Sequence, residues 1–137
     1  MTDVTIRKTI YLRAAPARVW AYLTEPEKLA VWFHRPDKAL IEGDYAVYAP
    51  DGGEKMMWGR VIVAQPFERL HYTFAIPAFG DSESTVKWTL EDVSAGTRLS
   101  LEHSGLPEGG DAFGLILALD EGWEKHLARM RDDTQVL

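Results

Sequence analysis

The chain has 137 residues, a length typical of one domain, and 46% of them are apolar, including five tryptophans, so a substantial core is expected. Its formal net charge of −6 argues against nucleic acid or an anionic membrane as a partner. Because it contains no cysteine, a disulfide, a thiolate nucleophile and a cysteine-ligated metal are excluded. The polar N-terminus and the lack of a long apolar run favour a cytoplasmic protein without membrane insertion. We expect residues 1–137 to form a single domain.

The first third of the chain predicts one strand and two short helices. Alternating apolar residues over Val4–Arg13 predict the strand, although Lys8 interrupts its apolar face. Pro16 suits the first position of a helix that stops near Pro26, and a second helix is predicted over residues 27–33.

The middle of the chain predicts about six further strands joined by turns. Clusters of Gly, Pro, Asp and Ser separate segments of alternating apolar and polar residues. These segments are 39–42, 44–49, 55–64, 69–75, 85–92 and 97–103.

The sequence does not decide which face of segment 55–64 points toward the core, because apolar residues occupy both faces. Met57 and Val61 lie on one face, and Trp58 and Arg60 lie on the other. We expect the face of Met57 and Val61 to point inward, since Trp58 and Arg60 tolerate partial exposure better.

The last segment predicts a long amphipathic helix over Asp111–Asp133, with Asp111 as its N-cap. Its apolar residues recur every three or four positions at Phe113, Ile116, Leu119, Trp123, Leu127 and Met130. Gly122 is unfavourable inside a helix, so we interpret it as clearance where the helix backbone approaches a sheet. The fold predicted is α+β: a curved antiparallel sheet of about seven strands around the long C-terminal helix, with two short helices after the first strand.

A set of short motifs in this order resembles the activator-of-heat-shock-ATPase homologue family. They are Pro16-x-x-Val19-Trp20, Leu29, Trp32, Gly43, Gly59-x-Val61, Arg69-Leu70, Val86-x-Trp88-x-Leu90, Gly96-Thr97-Arg98-Leu99 and Gly122-Trp123. That family belongs to the START-like, birch-pollen-allergen-like helix-grip superfamily, also called SRPBCC, whose members differ widely in function.

The resemblance implies a ligand cavity between the long helix and the concave face of the sheet. By position, Trp32 and Phe33 would lie at its mouth, and Tyr45, Tyr72, Phe74, Trp88, Leu101, Leu119 and Trp123 would line it. The alternation of the strands supports the inward direction of Tyr72, Phe74, Trp88 and Leu101 independently. Met57, Val61 and His103 complete the predicted pocket.

Candidates for chemistry are few. His103 shares a strand face with Leu101, and Asp120 lies near the apolar stripe of the helix, so these two are the weak catalytic candidates. His34 could lie at the rim of the cavity, His71 is expected to point to solvent, and His126 is placed on the helix flank. No pair of histidines has a metal-ligand spacing, so no metal and no cofactor is predicted.

These observations leave three functions open. The first is binding of a hydrophobic or amphipathic small molecule, such as a lipid, in the cavity. The second is a chaperone-associated interaction domain with a role in stress response, as the resemblance to the ATPase activator implies. The third is a polyketide cyclase-like enzyme, which would need a convergent polar pair in the cavity. The protein could be a monomer or a homodimer.

Overall fold

The computed structural model describes residues 4–50 and 52–135. Three helices and six strands follow one another in the order β1 (Ile6–Leu12), α1 (Pro16–Thr24), α2 (Pro26–Trp32), β2 (Asp44–Tyr48), β3 (Lys55–Gln65), β4 (Arg69–Phe74), β5 (Ser84–Val93), β6 (Gly96–Ser104) and α3 (Gly110–Thr134). A 3-10 turn, Pro77–Phe79, lies between β4 and β5.

The six strands form one antiparallel sheet in the order β1-β6-β5-β4-β3-β2. The sheet curves around α3, so the α+β architecture predicted from the sequence is confirmed. From β2 onward each strand pairs with the next one in the chain, through short turns after β3 and β5 and longer connections after β2 and β4, whereas β1 lies at the far edge beside β6. The buried apolar side chains lie between the concave face of this sheet and the three helices.

The sheet has six strands rather than about seven, because segment 39–42 forms a turn. Leu40 is buried, and its backbone N–H donates to the carbonyl of Thr24, which ties the segment to α1 instead of to a strand. Asp37 occupies the adjoining edge of β2, because its N–H donates to the carbonyl of Ala46 and its carboxylate accepts from the N–H of Ala46. An edge that is already paired in this way does not recruit another strand.

Strand β3 changes face along its length. Met57 is buried and Val61 packs against the core, but the pairing shifts by one residue between Val61 and Val63. Beyond this bulge Ala64 pairs with the buried Leu70, so Ala64 rather than Val63 packs against the core. A β-bulge inserts one residue into a strand and thereby reverses the alternation that follows.

Helix α3 packs on the concave face of the sheet and is anchored near its C-terminal end. Ile116, Trp123, Leu127 and Met130 are buried as the stripe predicted, whereas Phe113 is 55% exposed near the start of the helix. The N-cap is Gly109 and not Asp111, two residues earlier than predicted, since the helix already includes Gly110. At the other end the hydroxyl of Tyr22 donates to the carboxylate of Asp133, which anchors α3 to α1.

Lys8, which interrupts the apolar face of β1, has a partner on α3. Its ammonium lies 2.8 Å from a carboxylate oxygen of Asp120 and 2.8 Å from one of Glu124. The stem of Lys8 therefore lies between strand and helix while its charge is paired.

Candidate functional site

An apolar cavity of about 250 Å³ opens where the end of α2 meets the middle of α3. Helix α3 contributes one wall, made of Ala118, Leu119, Gly122, Trp123 and His126. The opposite wall comes from the residues after α2, from strands β3 and β4, and from the segment that follows β4. It consists of Phe33, His34, Met57, Phe74 and Ile76. The helix-grip arrangement thus leaves a void between helix and sheet at this place.

Gly122 contributes space to the cavity and does not provide clearance for the sheet, which corrects our interpretation of the sequence. A Cβ atom built on Gly122 meets no heavy atom within 4 Å. Because the helix is not crowded here, a larger residue would be tolerated by the fold but would project into the cavity.

Two stacked aromatic rings form the base of the cavity. The rings of Phe33 and Trp123 are nearly parallel, with an interplanar angle of 6° and centroids 5.4 Å apart. Trp123 also meets Trp88 edge-on at 5.6 Å and Phe74 at 6.4 Å. Flat aromatic faces of this kind favour planar ligands, because offset stacking and edge contacts both add to the burial of apolar area.

Two imidazoles are the only titratable side chains that line this cavity in the described part of the chain. The ring centroids of His34 and His126 are 5.5 Å apart, and each lies 4.9 Å from the ring of Phe33. Nδ1 of His126 lies 2.9 Å from the carbonyl oxygen of Trp32. Since a carbonyl can only accept, Nδ1 must carry the proton of that hydrogen bond.

Both imidazoles are kept neutral by their surroundings. Burial lowers the pKa of His34, and the positive charge of Arg129 lowers it further. Burial also lowers the pKa of His126. The hydrogen bond to Trp32 raises this pKa, but His34 and Arg129 lower it further. At neutral pH the cavity therefore presents uncharged nitrogen atoms.

His103, one of the two catalytic candidates, is completely buried behind the cavity and has all its hydrogen bonds satisfied. Trp123 Nε1–H donates to His103 Nδ1 over 3.0 Å, so Nε2 carries the proton and donates to Ser84 Oγ over 2.7 Å. Ser84 Oγ in turn donates to the carbonyl of Phe74. Burial lowers the pKa of His103 to about 4. The side chain positions Trp123 and is not exposed to a ligand.

Asp120, the other catalytic candidate, lies away from the cavity, in the ion pair with Lys8 between α3 and β1. Its side chain is 45% exposed. Its carboxylate is therefore placed where it does not face a ligand in the cavity.

Of the twelve predicted pocket residues, Phe33, Met57, Phe74, Leu119 and Trp123 line the cavity. The remainder lie in or against the core behind it: Trp32, Tyr45, Val61, Tyr72, Trp88, Leu101 and His103. Their polar atoms are used internally, since Tyr45 O–H donates to the carbonyl of Thr73 over 2.7 Å and Trp88 Nε1–H donates to the hydroxyl of Tyr72 over 3.1 Å. Burial raises the pKa of both tyrosines.

Sequence reasoning did not place Ile76, Ala118, Gly122 or His126 at the cavity. For two of them a signal was present. Gly122 and His126 stand three positions after Leu119 and Trp123 respectively, a spacing that places them on the same helix face as these pocket residues. His34 had been placed at the cavity rim, and it does line the cavity.

Two other depressions are less suited to a ligand. The larger, about 550 Å³, lies on the convex face of the sheet among Arg7, Arg69, Lys87 and Glu102, where mixed charges face solvent and Arg7 pairs with Glu102. The other, about 370 Å³, lies beside the exposed ring of Phe113 and is formed largely by residues 107–110. Neither depression contains stacked aromatic rings.

Within residues 4–50 and 52–135, no three His, Asp or Glu side chains are grouped so that they could hold a metal ion. Among the described helices, none is both long enough and apolar enough to cross a membrane.

An antiparallel sheet wrapped around a long C-terminal helix, with two short helices after the first strand and a cavity between the layers, defines a helix-grip protein of the START-like, or SRPBCC, class. The family model for "Activator of Hsp90 ATPase homolog 1-like protein" matches residues 13–132. The chain therefore belongs to this family.

Solved structures of similar fold come from several bacteria. Protein MLL2253 from Mesorhizobium loti is 25% identical, with a TM-score of 0.81 over 94% of this chain and 95% of that one. The Aha1 dimer from Colwellia psychrerythraea is 20% identical, with a TM-score of 0.78 and coverage of 97% of both chains. DynU16, a putative protein in the dynemicin biosynthetic locus, is 23% identical, with a TM-score of 0.80 over 98% of this chain.

These likenesses concern the fold. The chain spans only 48% of the length of DynU16. No curated protein matches the sequence significantly.

Proposed function

We propose that this protein binds a small, flat, largely apolar molecule in the cavity between α2, α3 and the sheet. The observation that carries the proposal is the cavity itself. It places the stacked rings of Phe33 and Trp123 beside the open space at Gly122. The uncharged imidazoles of His34 and His126 line the same cavity. Ligand sites are typically apolar concavities with a few polar groups that orient the ligand.

The volume of the cavity restricts the size of the ligand. At about 250 Å³ it lies just below the range of roughly 300–1,000 Å³ that is usual for small-molecule sites. It suits a molecule with one or two fused rings. A sterol or a long fatty acid would need the helix and sheet to separate, so we assign these classes a lower priority than compact aromatics.

The geometry supports binding more directly than catalysis. The buried His103 has no free hydrogen-bonding atom, and Asp120 is paired with Lys8 on another face of α3. A reaction at the cavity would therefore have to use His34 or His126, neither of which has a carboxylate partner in an ion pair within the described residues. We take binding as the primary activity.

Replacing Gly122 with leucine is expected to block the cavity while leaving the fold intact. The leucine side chain would enter open space, and its higher helix propensity should raise the free energy of unfolding by about 0.5–1 kcal/mol. Binding of a bicyclic aromatic probe such as 2-naphthol, followed by isothermal titration calorimetry, should weaken at least tenfold.

Gly114 provides the matched control for this experiment. It lies on the same helix, a Cβ there also meets no atom within 4 Å, and it does not line the cavity. Gly114→Leu should raise the stability by a similar amount and leave binding unchanged. Equal binding by wild type and Gly122→Leu, or no binding of any compact aromatic by the wild type, would contradict the proposed function.

A further inference from the structure

We propose that the cavity selects ligands bearing a hydroxyl group that donates a hydrogen bond, as in a phenol or enol, and that Nε2 of His126 accepts this bond. The inference rests on the proposed function and adds the chemical class of the ligand. It follows from the hydrogen bond that Nδ1 of His126 already makes to the carbonyl oxygen of Trp32, which leaves Nε2 as the acceptor.

The tautomer of His126 is set by the backbone of α2. Its Nδ1–H donates to the carbonyl oxygen of Trp32 over 2.9 Å, so in the neutral ring the lone pair resides on Nε2. Within the described residues, the structure shows no hydrogen bond at Nε2. A ring that is oriented by one nitrogen and unoccupied at the other is a preformed acceptor.

The acceptor lies where a ligand would need it. His126 lines the cavity one helical turn after Trp123 and meets the edge of the Trp123–Phe33 stack, with ring centroids 6.3 Å and 4.9 Å away respectively. A flat ring that covers this stack would bring a substituent on its rim toward the imidazole. An aromatic molecule with a hydroxyl group meets both requirements, because it combines an apolar ring with one hydrogen-bond donor.

The uncharged imidazoles favour a neutral donor over a charged ligand. The positive charge of Arg129 lowers the pKa of both rings and disfavours a cation beside them, but Arg129 does not line the cavity and so does not pair with an anion there. No ion pair brings a carboxylate to either ring within the described residues. The imidazoles therefore stay uncharged at neutral pH, and an uncharged acceptor does not offset the desolvation of a carboxylate ligand.

The test compares three ligands of nearly the same shape at neutral pH by calorimetry. 2-Naphthol can donate a hydrogen bond, 2-methoxynaphthalene can only accept one, and 2-naphthoate is an anion. We expect 2-naphthol to bind roughly three- to tenfold more tightly than 2-methoxynaphthalene, the range that one net hydrogen bond supplies. The naphthoate should bind weakest.

His126→Asn is the variant that isolates the acceptor. The asparagine amide N–H can still donate to the carbonyl of Trp32, but the shorter side chain has no acceptor atom at the position of Nε2. In this variant the preference for 2-naphthol over 2-methoxynaphthalene should be lost, and the two compounds should bind with equal affinity, because the loss of the His126 ring from the cavity wall affects both alike.

The outcomes separate the inference from the proposed function. If 2-naphthol and 2-methoxynaphthalene bind equally and Gly122→Leu blocks both, the cavity is the binding site and the inference is wrong. If His126→Asn retains the preference for 2-naphthol, or if 2-naphthoate binds most tightly, the role of His126 is likewise overturned. If none of the three compounds binds, the proposed function falls as well.

Discussion

Replacing Gly59 with alanine is expected to lower the free energy of unfolding by about 3 kcal/mol, at the upper end of what overpacking normally costs. A Cβ at Gly59 would stand 2.0 Å from the carbonyl oxygen of Thr73 on the neighbouring strand. That distance is far inside any van der Waals contact, so one of the two strands would have to move.

The strands around Gly59 have little freedom to move apart. Trp58 and Ala75 exchange two backbone hydrogen bonds, of 3.0 Å and 2.9 Å. Thr73 is held from two further sides, since Arg60 N–H donates to its Oγ1 over 2.9 Å and Tyr45 O–H donates to its carbonyl over 2.7 Å. A shift large enough to admit a methyl group would break several of these bonds.

Urea unfolding at neutral pH measures the effect. Gly114→Ala is the control, because it makes the same chemical change at an uncrowded helical position and should raise stability by about 1 kcal/mol. A loss of less than about 1 kcal/mol in Gly59→Ala would show that β3 and β4 do not approach as closely as described.

The second large effect concerns pH. His103 has an ordinary pKa near 6.5 in the unfolded chain and about 4 in the folded protein, where burial disfavours the charged ring. As the pH falls below about 6.5, the unfolded state takes up the proton first. The stability contributed by neutral His103 is thus fully present above that pH and is lost progressively down to about pH 4.

We expect the wild type to lose about 2 kcal/mol more stability between pH 7 and pH 5 than His103→Gln does, at 1.36 kcal/mol for each pKa unit. Glutamine stays neutral and can both accept from Trp123 and donate to Ser84, so it tests the titration with least damage to the network. His34 and His126 have lowered pKa values too, but they are present in both proteins.

Urea titrations at a series of pH values provide the comparison. Parallel stability curves for the two proteins would contradict this role of His103. A second measurement does not depend on the stability of the glutamine variant. In the wild-type protein, NMR at pH 5 should show that the His103 ring is still neutral.

The parts of the fold that the sequence predicted well are those where one face of an element is buried and the other is solvated. Alternation placed Tyr72, Phe74, Trp88 and Leu101 inward on β4, β5 and β6, and all four are buried. The long helix and the two short helices were predicted within one or two residues of their ends.

The incorrect predictions concern segments whose structure is determined by contacts with residues distant in sequence rather than by their own pattern of apolar residues. Leu40 has the apolar character of a strand residue, but a hydrogen bond to α1 holds its segment as a turn. The bulge in β3 reverses the faces after Val61, and nothing in the local sequence marks it. A glycine such as Gly122 is compatible both with a helix that packs closely on its neighbour and with one that has open space beside it, so the sequence alone does not distinguish the two.

The cavity was harder to predict than the fold for a related reason. Periodicity shows that a ring points inward, but whether an inward ring fills the core or lines a void depends on the local distance between helix and sheet. Tyr72 and Trp88 lie where the layers are in contact, whereas Trp123 and Phe74 lie where they separate. That distance is set jointly by residues remote in sequence, such as Phe33 and Ala118.

An NMR titration of the isotope-labelled protein with 2-naphthol would locate the ligand on the protein surface residue by residue. We expect the largest chemical-shift changes at the amide of Gly122, the indole N–H of Trp123 and the amides of Phe33 and Leu119. The residues beside Phe113 and on the convex face should be unaffected. Shifts confined to those two surfaces, or no saturable shifts at all, would contradict the claim that this cavity is the ligand-binding site.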